Sequence, residues 1–377
     1  MKNMSKKEQI IATLKCKEGV PIPISPLSIS RFEWTKDFPA YKKVIEALNR
    51  PGTPFVKMAL ETKPYLCDPK QTQPRTETKS DGDNEIIRTS ITTPKGELFS
   101  IAKRNPKVAG SSANEKFMVE TEEDVEKLRS LAAFNTYLPD VSGILEKQKE
   151  VGDEGLVCVN GIHTPALIVA NAFRYEYFLE WAFTTPELLR EFAETYNRRV
   201  ETQLRYFIEK GAGPAFRWYN FEGYTTPMMP PAFADEFIAP YDEKLMRIVH
   251  DAGGYVDNHC HGRLRDQVHN FLRLKVDCIN CVEPPPANDI DLRELREKTN
   301  GKIAFWGYIQ WEDMERKNPA DIRRLTREAF EMAGNRGFIL SQAASAYASE
   351  ISEHFSGNLL AMIDEGVKIN RELFGDN

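Results

Sequence analysis

The chain has 377 residues, of which 41% are hydrophobic, 28% charged and 10% aromatic, a composition that excludes disordered, collagen-like and low-complexity proteins. Fifty basic and 56 acidic residues give a net charge of -6 with no long basic run, so neither nucleic acid nor an anionic membrane surface is an expected partner. Six scattered cysteines are too few for a disulfide scaffold, and no stretch reaches the roughly 18 apolar residues of a membrane span. The expectation is a cytoplasmic protein with reduced thiols.

The start, MKNMSKKEQIIATLKCKEG, has no apolar leader core and reads as a helix. PIPISPLS (21–28) follows as a strand candidate. Residues 61–112 are rich in Thr, Lys, Asp and Pro, then alternate through Ile86–Thr93 and Leu98–Lys103 around a turn at Pro94–Gly96. This predicts a hairpin-bearing insertion. Thr121, with Asp124 in the first turn, predicts a helix N-terminus.

Beyond residue 155 the pattern becomes regular. Short apolar runs occur at GLVCVNG (155–161), AFRWYN (215–220), GYVDNHCHG (254–262), VDCINCVEP (276–284), KIAFWGYI (302–309) and GFILSQA (337–343). Helix-length segments separate them, at Pro165–Phe183 and Pro186–Lys210, Ala232–Ala252, a stretch ending near Leu272, Leu292–Lys298, Asp313–Asn335, and finally Ser356–Phe374. Seven strand candidates alternating with helices imply parallel strands joined by crossovers. No strand is followed by Gly-x-Gly-x-x-Gly and no Walker loop is present, so a (β/α)8 TIM barrel is favoured over a nucleotide-binding open sheet. One domain over 1–377 is expected, with an N-terminal extension and the 61–112 insertion.

Ligands of such folds bind at the carboxyl ends of the strands. Those ends carry Asn160 and His163; Trp218, Tyr219 and Glu222; His259 and His261; Glu283; Trp306 and Tyr308; and Ser341 with Gln342. Three of the six histidines fall there. In His259-Cys260-His261-Gly262 the two imidazoles are two residues apart, so on an extended chain they face one point. With Glu283 as third ligand they compose an open zinc site, and Glu222 is a fourth ligand or general base. The competing reading has one histidine capping a helix or bonding a carbonyl, with the carboxylates solvated. Cys278 and Cys281 are an odd number of residues apart, which sends them to opposite faces of a strand, and both read as packing residues, with Cys281 placed near the strand end as the alternative. Cys260 should point away from its flanking histidines. Trp34, Trp218, Tyr219, Tyr224, Trp306 and Tyr308 wall an apolar pocket or pack in the core, with Asn160 and Gln342 as polar substrate contacts.

These residues resemble the uroporphyrinogen decarboxylase superfamily, which also contains cobalamin-dependent methyltransferases. The resemblance runs through SKKEQIIATLKCKEGVPIPIS, TPKGELFS, EKFMVETEEDVEKL, PAFADEFIAPYDEKLMRIVHDAGGYVDNHCHG, VEPPPANDIDLRELREKTNGKIAFWGYI and FILSQAAS. It implies the barrel with its site at the strand carboxyl ends. True decarboxylases have Arg-Gln-Ala-Gly-Arg after the first strand, whereas this chain has SISRFEWTKDFPAY with Arg31 alone. The methyltransferase branch has His-x-Cys-Gly, a Glu ending the next strand and a late Cys as zinc ligands. His259 matches the first, His261 takes the Cys position, Glu283 matches the Glu, and Ser341 and Gln342 stand where the late Cys would be.

The resemblance therefore implies a demethylase-type methyltransferase that uses zinc. It would move a methyl group from a small methylated substrate, an aromatic methyl ether among the candidates, to cobalamin carried by a corrinoid protein. His259, His261 and Glu283 would hold the metal; Glu222, Tyr219 and His163 would serve as proton donor and substrate-positioning groups. The alternatives are a metal-free uroporphyrinogen decarboxylase and a catalytically retired ligand-binding barrel. Oligomeric state stays open, a homodimer included.

Overall fold

The strands from Leu156 onward are near-continuous apolar runs because both of their faces are covered, one by the sheet's own interior and one by helices. The computed structural model describes residues 4–106, 112–222, 226 and 228–375. In chain order it has β1 (Phe55–Ala59), then β2 (Arg75–Asp81), β3 (Asn84–Thr93), β4 (Gly96–Arg104) and β5 (Ala113–Lys116), then β6 (Leu156–His163), β7 (Ala215–Tyr219), β8 (Tyr255–His259), β9 (Cys278–Val282), β10 (Ala304–Ile309) and β11 (Phe338–Gln342).

β1 and β6 to β11 form one parallel sheet of seven strands in the order β1-β6-β7-β8-β9-β10-β11. The expected TIM barrel is thus found as a curled seven-stranded α/β sheet, and no eighth complete strand is formed among the described residues. The predicted strand 21–28 contributes a single bridging residue instead. Ile24 bridges in parallel to Gly52 ahead of β1 and to Leu340 in β11, supported by Thr53 N donating to Ile24 O at 2.9 Å and Leu340 N to Pro23 O at 2.9 Å. Prolines 21, 23 and 26 have no amide hydrogen to add to a ladder, which limits the pairing to this point.

The helices are set by caps and by one apolar stripe each. Thr121 Oγ1 accepts from Asp124 N at 3.2 Å, as the sequence predicted, and Asp291 and Asn318 cap the helices Leu292–Lys298 and Pro319–Ala333 in the same way. In Pro186–Glu209 the buried residues Leu189, Phe192, Tyr196, Val200, Leu204 and Phe207 recur every three to four positions and pack on the sheet. Two apolar layers result. The outer one lies between sheet and helices; the inner one joins Phe55, Cys158, Ala215, Tyr255, Cys278, Cys281, Trp306 and Ile339 inside the curl. There Phe55 stacks on Trp306, with centroids 4.8 Å apart and planes at 14°.

The insertion is larger than a hairpin. β3 and β4 pair across the predicted turn, Thr93 opposite Gly96, and β2 and β5 flank them to give a four-stranded antiparallel sheet. No helix among the described residues is long and apolar enough to cross a membrane.

Candidate metal centre

β8 ends on His259, and its alternation points Tyr255, Asp257 and His259 into the curl. His261 follows two residues on, and the two imidazole centroids lie 4.8 Å apart with the rings nearly perpendicular. Cys260 between them is fully buried in the outer layer, pointing away as expected.

The third donor comes from β9 and is Cys281, read from the sequence as a packing residue, in place of Glu283. Ligand atoms of His259, His261 and Cys281 lie within 4.8 Å of one another. Strict alternation would turn Cys281 away from Cys278, but the β9–β10 register shifts here. Asn280 is opposite Trp306 and Val282 opposite Gly307, so Cys281 is the extra residue of a bulge, which re-aims its side chain inward. Both cysteines consequently belong to the inner layer. Cys281 Sγ is 3.8 Å from His259 Nδ1.

Carboxylates and an amide surround this triad. Glu283, expected as third ligand, bonds His261 Nδ1 through Oε2 at 3.0 Å and sits behind that ring. His259 Nδ1 is 3.0 Å from Asn280 Oδ1. Such partners fix the orientation of each ring. Glu222, half exposed, brings Oε2 to 3.6 Å from His259 Nε2. The two rings are tuned oppositely. Burial, helped by the Arg217 charge, pushes His259 down to about 3, whereas hydrogen bonds to Cys281 and Glu283 push His261 up to about 11.

The wall beside the triad comes from β6 and β7. Tyr219 meets His259 edge-on with centroids 4.9 Å apart, stacks on His163 at 5.2 Å, and donates its hydroxyl to Asn160 Oδ1 at 2.8 Å. Burial raises the Tyr219 pKa and lowers that of His163. A bulge at Gly161 offsets the β6–β7 register, with Asn160 opposite Arg217 but Ile162 opposite Trp218. Beneath this wall Arg217 Nε donates to Asp257 Oδ2 at 2.6 Å, both side chains being 1% exposed, and its guanidinium lies 5.0 Å from the Trp306 ring.

The remaining expected contacts lie elsewhere. Trp218 alternates outward into the layer beneath the helices. Trp306 is fully buried in the inner layer, its Nε1 donating to Ser25 O at 2.9 Å. Tyr308 belongs to the outer layer, and Gln342 is spent on Leu27 O at 2.9 Å. Trp34 is 38% exposed, edge-on to Phe38 and Tyr41. Tyr224 is outside the described residues.

Residues 71–352 match the uroporphyrinogen decarboxylase (URO-D) family, which is three quarters of the chain. The chain belongs to the uroporphyrinogen decarboxylase family. Among solved structures it is similar to a methyltransferase from Methanosarcina mazei, at 11% identity and TM-score 0.62, over 97% of this chain and 99% of that one. It also aligns with a B12-independent methionine synthase from a Shewanella species, at 13% identity and TM-score 0.44, over 70% of this chain and 72% of that one. At such identities the first likeness bears on the fold. No curated protein matches the chain by sequence.

Within this URO-D chain, sequence reasoning missed Cys281 and Arg217. Arg217 was detectable as the residue two before Tyr219 on one strand face. The bulge that turns Cys281 had no local signal in CINCV.

Proposed function

We propose that this URO-D family protein is a zinc-dependent methyltransferase of the demethylase type. It takes a methyl group from a small methylated substrate, aromatic methyl ethers among them, and passes it to cobalamin on a separate corrinoid protein. The convergence of His259, His261 and Cys281 at the carboxyl ends of β8 and β9 carries this reading. Two imidazoles and a thiol are a donor set that suits zinc and leaves a position open. Cys281 supplies the sulfur that the missing late Cys would otherwise give. The bridges of Ile24 to both edges of the sheet support reading it as a closed barrel with this centre at its mouth.

Bound there, zinc would supply Lewis acidity toward the substrate's oxygen, easing departure of the demethylated product. The chain's own groups do the rest. Glu283 and Asn280 orient the two imidazoles. Tyr219, held by Asn160, sets the side wall with His163 against which a flat substrate is placed. Glu222 is the group positioned to hand a proton to the leaving oxygen. The decarboxylase alternative needs several basic side chains at the mouth, and Arg31 is not one of them, since it pairs with Glu154 at 3.2 Å, just before β6 begins and at the far end of that strand from His163.

The test is elemental analysis and zinc titration of the purified protein, followed by methyl transfer from methoxyarenes to a corrinoid protein reduced to cob(I)alamin. One equivalent of zinc, lost in Cys281→Ser or His261→Gln, with methylcobalamin formed, is the expected result. A protein that takes up no zinc refutes the reading; zinc binding without methyl transfer leaves a ligand-binding barrel.

A further inference from the structure

We propose that Lys57 forms an anion subsite that seats a carboxylate of the substrate beside the His259–His261–Cys281 cluster. The proposal deepens the methyltransferase reading and rests on it for the word substrate. Lys57 is the third residue of β1, two after Phe55, which stacks inside the curl; the alternation therefore turns Lys57 to the same side. Its partner in register is Cys158, also of the inner layer. Its ammonium bonds Ser345 Oγ at 2.5 Å, in the segment that follows β11, and so lies at the carboxyl-end mouth of the sheet.

Among the described residues that hydroxyl is its one hydrogen-bond partner, although an ammonium carries three donors. Neither nearby acid hydrogen-bonds the ammonium among the described residues. Asp257 is bound to Arg217, and Glu33 accepts from the backbone N of Lys57 itself at 2.9 Å. Burial raises the Glu33 pKa. The ammonium thus emerges on the same inner face and at the same carboxyl end of the sheet as the metal cluster.

A mostly buried cation with unfilled donors is costly to keep unless something pairs with it. Burial and the Arg217 charge lower its pKa to about 8, which still leaves it protonated at neutral pH. A carboxylate on the substrate would supply the missing partner, and the methyl-bearing oxygen would then be directed toward the cluster.

The probes are 4-methoxybenzoate and its neutral isostere 4-methoxybenzamide, titrated calorimetrically into the full chain. The wild type should bind the carboxylate about tenfold or more tightly than the amide, as a charge-assisted hydrogen bond implies. Lys57→Met should erase that preference while keeping the affinity for the amide, and Lys57→Arg should retain most of it. Equal or absent binding of the two probes by wild type, or a preference that survives in Lys57→Met, overturns the subsite. A carboxylate preference without methyl transfer to any corrinoid protein would instead sink the methyltransferase reading and leave the subsite standing.

Discussion

Replacing Arg217 by Met tests the electrostatic floor of the centre. Arg217 and Asp257 are each 1% exposed, joined at 2.5 and 2.6 Å, so deleting the guanidinium strands a carboxylate where water does not reach. Breaking a buried pair in this way costs about 3–5 kcal/mol. Loss of the contact with the Trp306 ring adds to it. Burial already pushes the Asp257 pKa up and Arg217 opposes that push, so the variant's carboxyl will take up a proton instead of staying charged.

The sign follows from linkage. A group whose folded pKa exceeds its unfolded value stabilises fully at pH below the unfolded value, and the benefit is lost as pH rises through the folded one. The penalty of Arg217→Met should therefore set in above the wild-type carboxyl's own raised pKa and grow toward pH 8, by up to about 1.4 kcal/mol per pH unit, until the variant's still higher pKa is passed. Urea midpoints of wild type and variant at pH 5 and pH 8, with metal chelated, measure it. Arg217→Met combined with Asp257→Leu should recover most of the loss. A penalty below about 1 kcal/mol at pH 8, or one equal at both pH values, would refute the reasoning.

Two further outcomes follow from the metal centre. Glu283→Gln keeps a partner for His261 but removes its charge, and zinc affinity should fall about 10–100-fold with the fold unchanged, read by competition with a chelating dye. Because His261 is held protonated up to about 11, zinc uptake must displace its proton. Affinity should therefore rise with pH between 6 and 8, and calorimetry in two buffers of different ionisation enthalpy should report proton release; pH-independent binding would contradict the site.

The periodic half of the chain was legible because its strands are buried on both faces and its helices carry clear caps. β6 to β11 stand where apolar runs placed them. β1 escaped notice because Lys57 interrupts its short apolar run, and the same lysine then went unweighed as a site residue. Residues 21–28 misled in the opposite direction, being apolar enough for a strand but too rich in proline to pair like one. β2 is exposed along its whole length, so RTETKSD has no hydrophobic pattern to read. At the centre, the paired histidines were visible from their spacing. Their sulfur partner was not, since a bulge depends on the neighbouring strand and not on local residue order.

The contact of Ile24 with Leu340 joins points more than three hundred positions apart. During synthesis the segment around Ile24 must wait, its second side unpaired, until β11 has left the ribosome. Such non-local pairing slows folding and leaves an adhesive margin exposed in the meantime, so yield on expression should depend on chaperone supply more than on the final stability of the protein.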